Sequence, residues 1–172
     1  MTWIWWAPLL AILLHIFEEF VWPGGFADWD RAYRPEFNQS ITPRFHIMVN
    51  ALLVLAGLQV GLLRDRDIQA HAGVVTPAHV LTWCTLTALL SSNALWHLKG
   101  AIKTQRYSPG LVTGLCLYVP LTIFGYMYFM GTHKAPLWVG LVALAIGGSY
   151  HFWAARIHKR RAARFAERTS AP

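Results

Sequence analysis

The sequence predicts an all-α polytopic membrane protein, a bundle of five transmembrane helices with the N-terminus outside and the C-terminus cytoplasmic. Three observations predict it. Of 172 residues, 55% are hydrophobic and only 13% charged, where an ordinary soluble domain carries about a quarter charged residues. The apolar residues fall in blocks of about 20, the length that crosses a bilayer core. The charges are confined to the gaps between those blocks. In this reading residues 1–158 form a single five-helix domain and residues 159–172 a basic cytoplasmic tail.

The first span covers residues 3–22. It opens with Trp3, Trp5 and Trp6 and closes at Trp22-Pro23-Gly24-Gly25. Aromatics suit the two membrane interfaces, and Pro-Gly-Gly stops a helix. No basic segment precedes the span and no small-residue cleavage site follows it, so it is expected to be retained rather than removed as a signal peptide. The loop 23–44 is long, polar and aromatic, with room for a short interfacial segment. The second span, 45–63, carries His46 and Asn50 near its start. A polar turn follows at 64–77 and ends at Thr76-Pro77, a good helix start.

The third span, 78–98, crowds its polar groups, Ser91, Ser92, Asn93 and His97, at the far end. The fourth, 111–131, contains Pro120, an expected kink. The fifth, 136–155, is rich in the small residues Gly140, Gly147, Gly148 and Ser149, which let helices pack closely. Cys84 and Cys116 both lie inside apolar blocks and read as small core residues, not as metal ligands or a disulfide.

Basic residues orient the bundle. With five spans, one side holds Arg64, Arg66 and Lys134; the other holds the remaining twelve of the fifteen lysines and arginines. The positive-inside bias places loops 23–44 and 99–110 and the C-terminus in the cytoplasm. Directly after an apolar span, the basic tail reads as an anchor near anionic lipid, not as a nucleic-acid site.

That topology brings polar groups from every span to one depth. His15, Glu18 and Glu19 end the first span; His46 and Asn50 begin the second; Asn93 and His97 end the third, and His151 the fifth. On a helix Glu19 lies about 40° to one side of His15 and Glu18 about 60° to the other. His46 and Asn50 share one helix face, as do Asn93 and His97. At the head of the fourth span Ser108 is the expected N-cap and Pro109 the first helical position. Its bare amides would face the same depth, where an anionic group could bind. His71, His79, His133 and His158 fall in loops, on the far side or in the tail, and are left out.

Three elements in order carry a resemblance: His15-Ile16-Phe17-Glu18-Glu19, Asn93-Ala94-Leu95-Trp96-His97 and Tyr107-Ser108-Pro109-Gly110-Leu111-Val112-Thr113. Together they resemble the HXXEE-domain family, small multi-span membrane proteins of uncharacterised function suspected of being enzymes. The resemblance spans residues 15–113 and supports the site residues more than any one reaction.

Two adjacent carboxylates in a membrane helix demand an explanation, since an ionised acid at the helix centre costs about 2.5–3.5 kcal/mol on insertion scales. A structural reading has them snorkel to the interface or pair with Arg44 or Arg106. With His15 beside them, a divalent transition metal is the stronger reading, and donors without thiolate suit zinc, iron or manganese. The ligands are drawn from His15, Glu18, Glu19, His97, His151 and His46, enough for one ion or two. Di-iron bundles usually offer about four carboxylates with Glu-x-x-His spacing. This chain offers two in the reverse order, so a mononuclear or histidine-rich dinuclear site fits better.

The expected function is a membrane metalloenzyme, hydrolase or oxidase, acting on a lipid-like or hydrophobic small substrate in the inner membrane. One glutamate would be a ligand and the other a general base. Tyr107 and the turn Ser108–Gly110 would hold an anionic or carbonyl group, with Asn50, Asn93 and Thr113 in supporting roles. Three other readings stand beside it: a metal-ion or proton-coupled carrier, a metal-free Glu/His isomerase, and a structural protein without a site. Oligomeric state does not follow from the sequence.

Overall fold

The structure is a computed structural model and describes residues 3–70 and 75–170. Among them every regular element is helical. The order is α1 (Trp3–Phe20), α2 (Phe26–Tyr33), a 3-10 turn (Pro35–Ser40), α3 (Pro43–Ala70) and α4 (Pro77–Thr104). Then come α5 (Leu111–Thr113), a π-helical turn (Gly114–Tyr118), α6 (Val119–Gly131), α7 (Leu137–Gly148) and α8 (Tyr150–Ser170).

α1 shows why these segments form a bundle. Its buried residues, Ile4, Trp5, Pro8, Ala11, Ile12, His15, Glu18 and Glu19, recur every three or four positions and so make one face. The other face, Leu10, Leu13, Leu14 and Phe17, is exposed yet equally apolar. A helix apolar all round needs apolar surroundings on both sides, a bundle within and hydrocarbon without.

Four helical stretches are long and apolar enough to cross a membrane: Trp3–Phe20, Pro43–Arg64, Leu111–Gly131 and Leu137–Phe165. The expected count was five. The missing one is the segment 78–98, which falls within α4. Length is not its shortfall; polarity is, and the packing gives the reason. α4 is the central helix, packed on α7, α6, α3, α8 and α1. Its polar side chains serve its neighbours: Ser91 Oγ donates to Thr122 Oγ1 at 2.7 Å and lies 3.1 Å from the Tyr118 carbonyl, and Thr122 in turn donates to the Thr87 carbonyl at 2.8 Å. A helix enclosed by others can carry such groups without facing lipid.

Close contacts at glycine fix the packing. A Cβ at Gly125 of α6 would lie 1.9 Å from the Trp83 ring of α4. One at Gly147 of α7 would lie 2.4 Å from the Thr85 carbonyl. Gly148 has open space, so of that expected small-residue pair only Gly147 is an interface. The Pro120 irregularity appears as the π-helical turn just before it. Proline lacks the N–H that would bond the carbonyl four residues back, and a wider turn accommodates the gap.

Other boundaries also moved. α3 runs to Ala70, so Arg64-Asp65-Arg66-Asp67 has helical backbone and is not a turn. His71 and the rest of 71–74 lie outside the described residues. The fifth span is split near Ser149 into α7 and α8, and α8 passes through position 158 without a break. The loop 23–44 is mostly ordered structure, α2 and the 3-10 turn, folded back over the end of the bundle against α8.

Candidate metal centre

The site is built from α1 upward. One turn of helix separates His15 from Glu19, and their side chains meet, His15 Nε2 lying 3.4 Å from Glu19 Oε1. α4 brings His97 to the same oxygen, its Nε2 at 3.3 Å. All three side chains are buried. One ligand atom from each lies within 4.8 Å of the other two, close enough to hold a single ion.

The rear of each imidazole is held by a hydroxyl. His15 Nδ1 lies 2.9 Å from Thr113 Oγ1, and His97 Nδ1 lies 2.8 Å from Ser108 Oγ. Both rings therefore turn Nε2 toward Glu19. An orienting partner on the far nitrogen is the usual support for a metal-binding histidine. His97 Nε2 is buried and has no hydrogen-bond partner. Asn93 approaches His15 Nε2 at 3.2 Å.

Gly110 makes this convergence possible. It has φ +95°, a left-handed conformation, and a Cβ there would lie 2.7 Å from His15 Cε1 and 2.9 Å from His97 Cε1. The turn leads directly into α5, and the expected cap is replaced. Ser108 Oγ faces His97 instead of capping, and the helix begins at Leu111. The cap comes from α1. Glu18 Oε1 accepts from the Val112 amide at 3.0 Å and from the Tyr107 hydroxyl; Oε2 accepts from the Thr113 amide at 2.7 Å and its hydroxyl at 2.5 Å. The anion expected at those bare amides is thus the protein's own Glu18. Burial, together with that carboxylate, pushes the Tyr107 phenol above its ordinary range, which keeps it a donor.

The remaining candidates sit across a cavity of about 70 Å³ that His15 and Glu19 also line. His46 is buried there, with Nε2 3.5 Å from Asp30 Oδ2 and Nδ1 lacking a partner. The Phe26 ring packs against both histidines, 5.2 Å from His46 and 5.4 Å from His97. His151 lines the cavity, stacked on Trp96 at 5.5 Å, and its Nε2 also lacks a partner. Asn50 lines it too. So His46 and His151 share the cavity with the cluster but are not in it.

Four residues that the sequence reading passed over belong here. Asp30 is fully buried and takes two bonds from Arg34, at 2.8 and 2.6 Å. Burial alone would raise its carboxyl, but His46 and the Arg34 guanidinium outweigh that and hold it below the usual carboxylate range. The signal was present: Phe26, Trp29, Asp30 and Tyr33 are spaced as one helix face, with Arg34 four residues after Asp30. His158, set aside as part of the tail, is buried, lines the cavity and bonds Ser40 Oγ at 2.9 Å. Tyr118, with its ring 4.6 Å from that of His15, carried no signal beyond being aromatic.

A helical bundle with membrane-length helices and a buried histidine–glutamate cluster near one end is the class of protein that fold and site define. Within that class the chain belongs to the family described as "Protein of unknown function with HXXEE motif", whose model matches residues 6–125. The match runs from the first turn of α1 to the middle of α6, hence over every residue of the cluster and its supports, and leaves α7 and α8 outside. No curated protein and no solved structure matches the chain.

Proposed function

We propose that this protein is an integral membrane metalloenzyme holding one divalent transition metal, zinc, iron or manganese, on His15, Glu19 and His97. The observation that carries the reading is the convergence of three buried donors whose opposite nitrogens are already tied to Thr113 and Ser108. Two imidazoles and a carboxylate form a donor set used by catalytic zinc, with further positions open to water or substrate. Such an ion would polarise a bound carbonyl or lower the pKa of a bound water.

The two glutamates then divide the work. Glu19 is the ligand. Both oxygens of Glu18 are occupied by donors, so the general-base role passes to His46, backed by Asp30 and with its other nitrogen free. The depth of the site argues for an amphipathic, lipid-like substrate and for hydrolysis or oxidation of it. In the same reading α4 crosses the bilayer with the four apolar stretches, the N-terminus is outside, and the basic C-terminal helix lies on the cytoplasmic side of a bacterial inner membrane.

Elemental analysis of detergent-purified protein tests the centre. Wild type is expected to carry one metal equivalent, and Glu19→Gln and His97→Ala to carry none. Wild type free of metal after purification in metal-supplemented buffers would overturn the proposal in favour of a metal-free Glu/His isomerase.

A further inference from the structure

We infer that Glu18 and Thr113 act as a relay that fixes the tautomer of His15. Thr113 has one hydroxyl proton and two neighbours competing for its oxygen. Glu18 Oε2, 2.5 Å away, offers only lone pairs, and the carboxylate already gathers the Val112 and Thr113 amides and the Tyr107 hydroxyl. Thr113 therefore gives its proton to Glu18, which can only accept and lies nearer than His15 Nδ1 at 2.9 Å or the Gly110 carbonyl at 3.5 Å. With that proton committed to Glu18, its oxygen faces His15 as an acceptor.

The consequence falls on the ring. At 2.9 Å from an oxygen that accepts, His15 Nδ1 carries the hydrogen, and Nε2 is left with its lone pair. That lone pair points toward Glu19 Oε1 at 3.4 Å, one acceptor facing another in a buried site. Asn93 donates to it from the side at 3.2 Å. A cation between Nε2 and Oε1 turns the opposition into a bond on each side. Glu18, which could not be told from Glu19 as a ligand, thus becomes a positioning residue acting through Thr113. Its place on α1, one residue before Glu19, lets the same helix turn supply both the ligand and the control of its neighbour's proton.

The tautomer itself does not depend on a metal; its effect on affinity rests on the proposed centre. Long-range proton–nitrogen NMR on chelator-treated protein labelled at histidine nitrogen, in mildly alkaline buffer, reads the tautomer directly, the His15 signals being those absent from His15→Gln. The expected result is a hydrogen on Nδ1 in wild type and in Thr113→Ser, and its loss or redistribution in Thr113→Val. A hydrogen on Nε2 in the wild type overturns the inference without any variant having to fold. Zinc competition titration is the second arm. Thr113→Val is expected to lose roughly 10–100-fold in affinity while Thr113→Ser holds it, the range typical of an orienting partner. Equal affinity in wild type and Thr113→Val would overturn the relay, whereas no zinc binding by wild type fails the metal centre alone and leaves the tautomer to decide.

Discussion

Glu18 and Glu19 are neighbours in the chain, yet one caps α5 through the Val112 and Thr113 amides and the other lies between two imidazoles. Successive residues on a helix point about 100° apart. A single turn of α1 therefore serves two ends: it joins α1 to the head of α5 and it builds the cluster. The cost of burying Glu18 is met by four hydrogen-bond donors, whereas at Glu19 the proposed metal ion would meet it.

Gly110 is where the two parts touch. Gly110→Ala forces a non-glycine residue into φ +95° and drives a methyl against both imidazoles. The strained backbone alone costs about 1–3 kcal/mol. Thermal unfolding in detergent should show the loss of stability, and metal analysis should show a centre that no longer fills.

Asp30 predicts an acid limb of stability. Its carboxyl is held below the usual range in the fold, so on acidification the unfolded chain takes up the proton first. Stability from this group is complete above the ordinary aspartate pKa and falls as pH drops through the folded value. Melting temperatures measured across the acid range should decline for wild type and decline less steeply for Asp30→Asn, whose starting stability at neutral pH is lower.

The α4–α7 contact predicts a difference between adjacent glycines. In Gly147→Ala the new methyl meets the Thr85 carbonyl at 2.4 Å and the Leu89 amide at 2.7 Å, backbone atoms that cannot swing aside. Overpacking of this kind costs about 1–3 kcal/mol. Gly148→Ala meets nothing within 4 Å and should leave the melting temperature unchanged or raise it.

Orientation is checked by placing single cysteines at the exposed positions 36 and 134. Membrane-impermeant maleimide should reach the residue at 134 from outside intact cells and the residue at 36 only after the membrane is opened. Labelling of both from one side would remove the five-crossing arrangement.

Much of the fold was legible because its signals are local. Block length and the aromatic and proline boundaries placed α1 and Leu111–Gly131 to within a residue or two. The three motif elements named the family and the residues around His15 and His97. What failed did so for non-local reasons. α4 fell short of span-like hydropathy because its polar groups are spent on other helices. Ser108 resembled a cap until His97 claimed it. His158 looked like one more member of a basic tail, and only the fold of the 3-10 turn against α8 buries it beside Ser40 and Phe37.

The sequence by itself determined a helical membrane bundle, its family and a set of polar residues at one end, because hydrophobic block length and motif spacing are properties of the chain. Only the tertiary structure decided which acid joins the two histidines and which is a cap. That distinction depends on what stands opposite each carboxylate, and the amides of α5 and the ring of His97 arrive there from some eighty to ninety-five residues away.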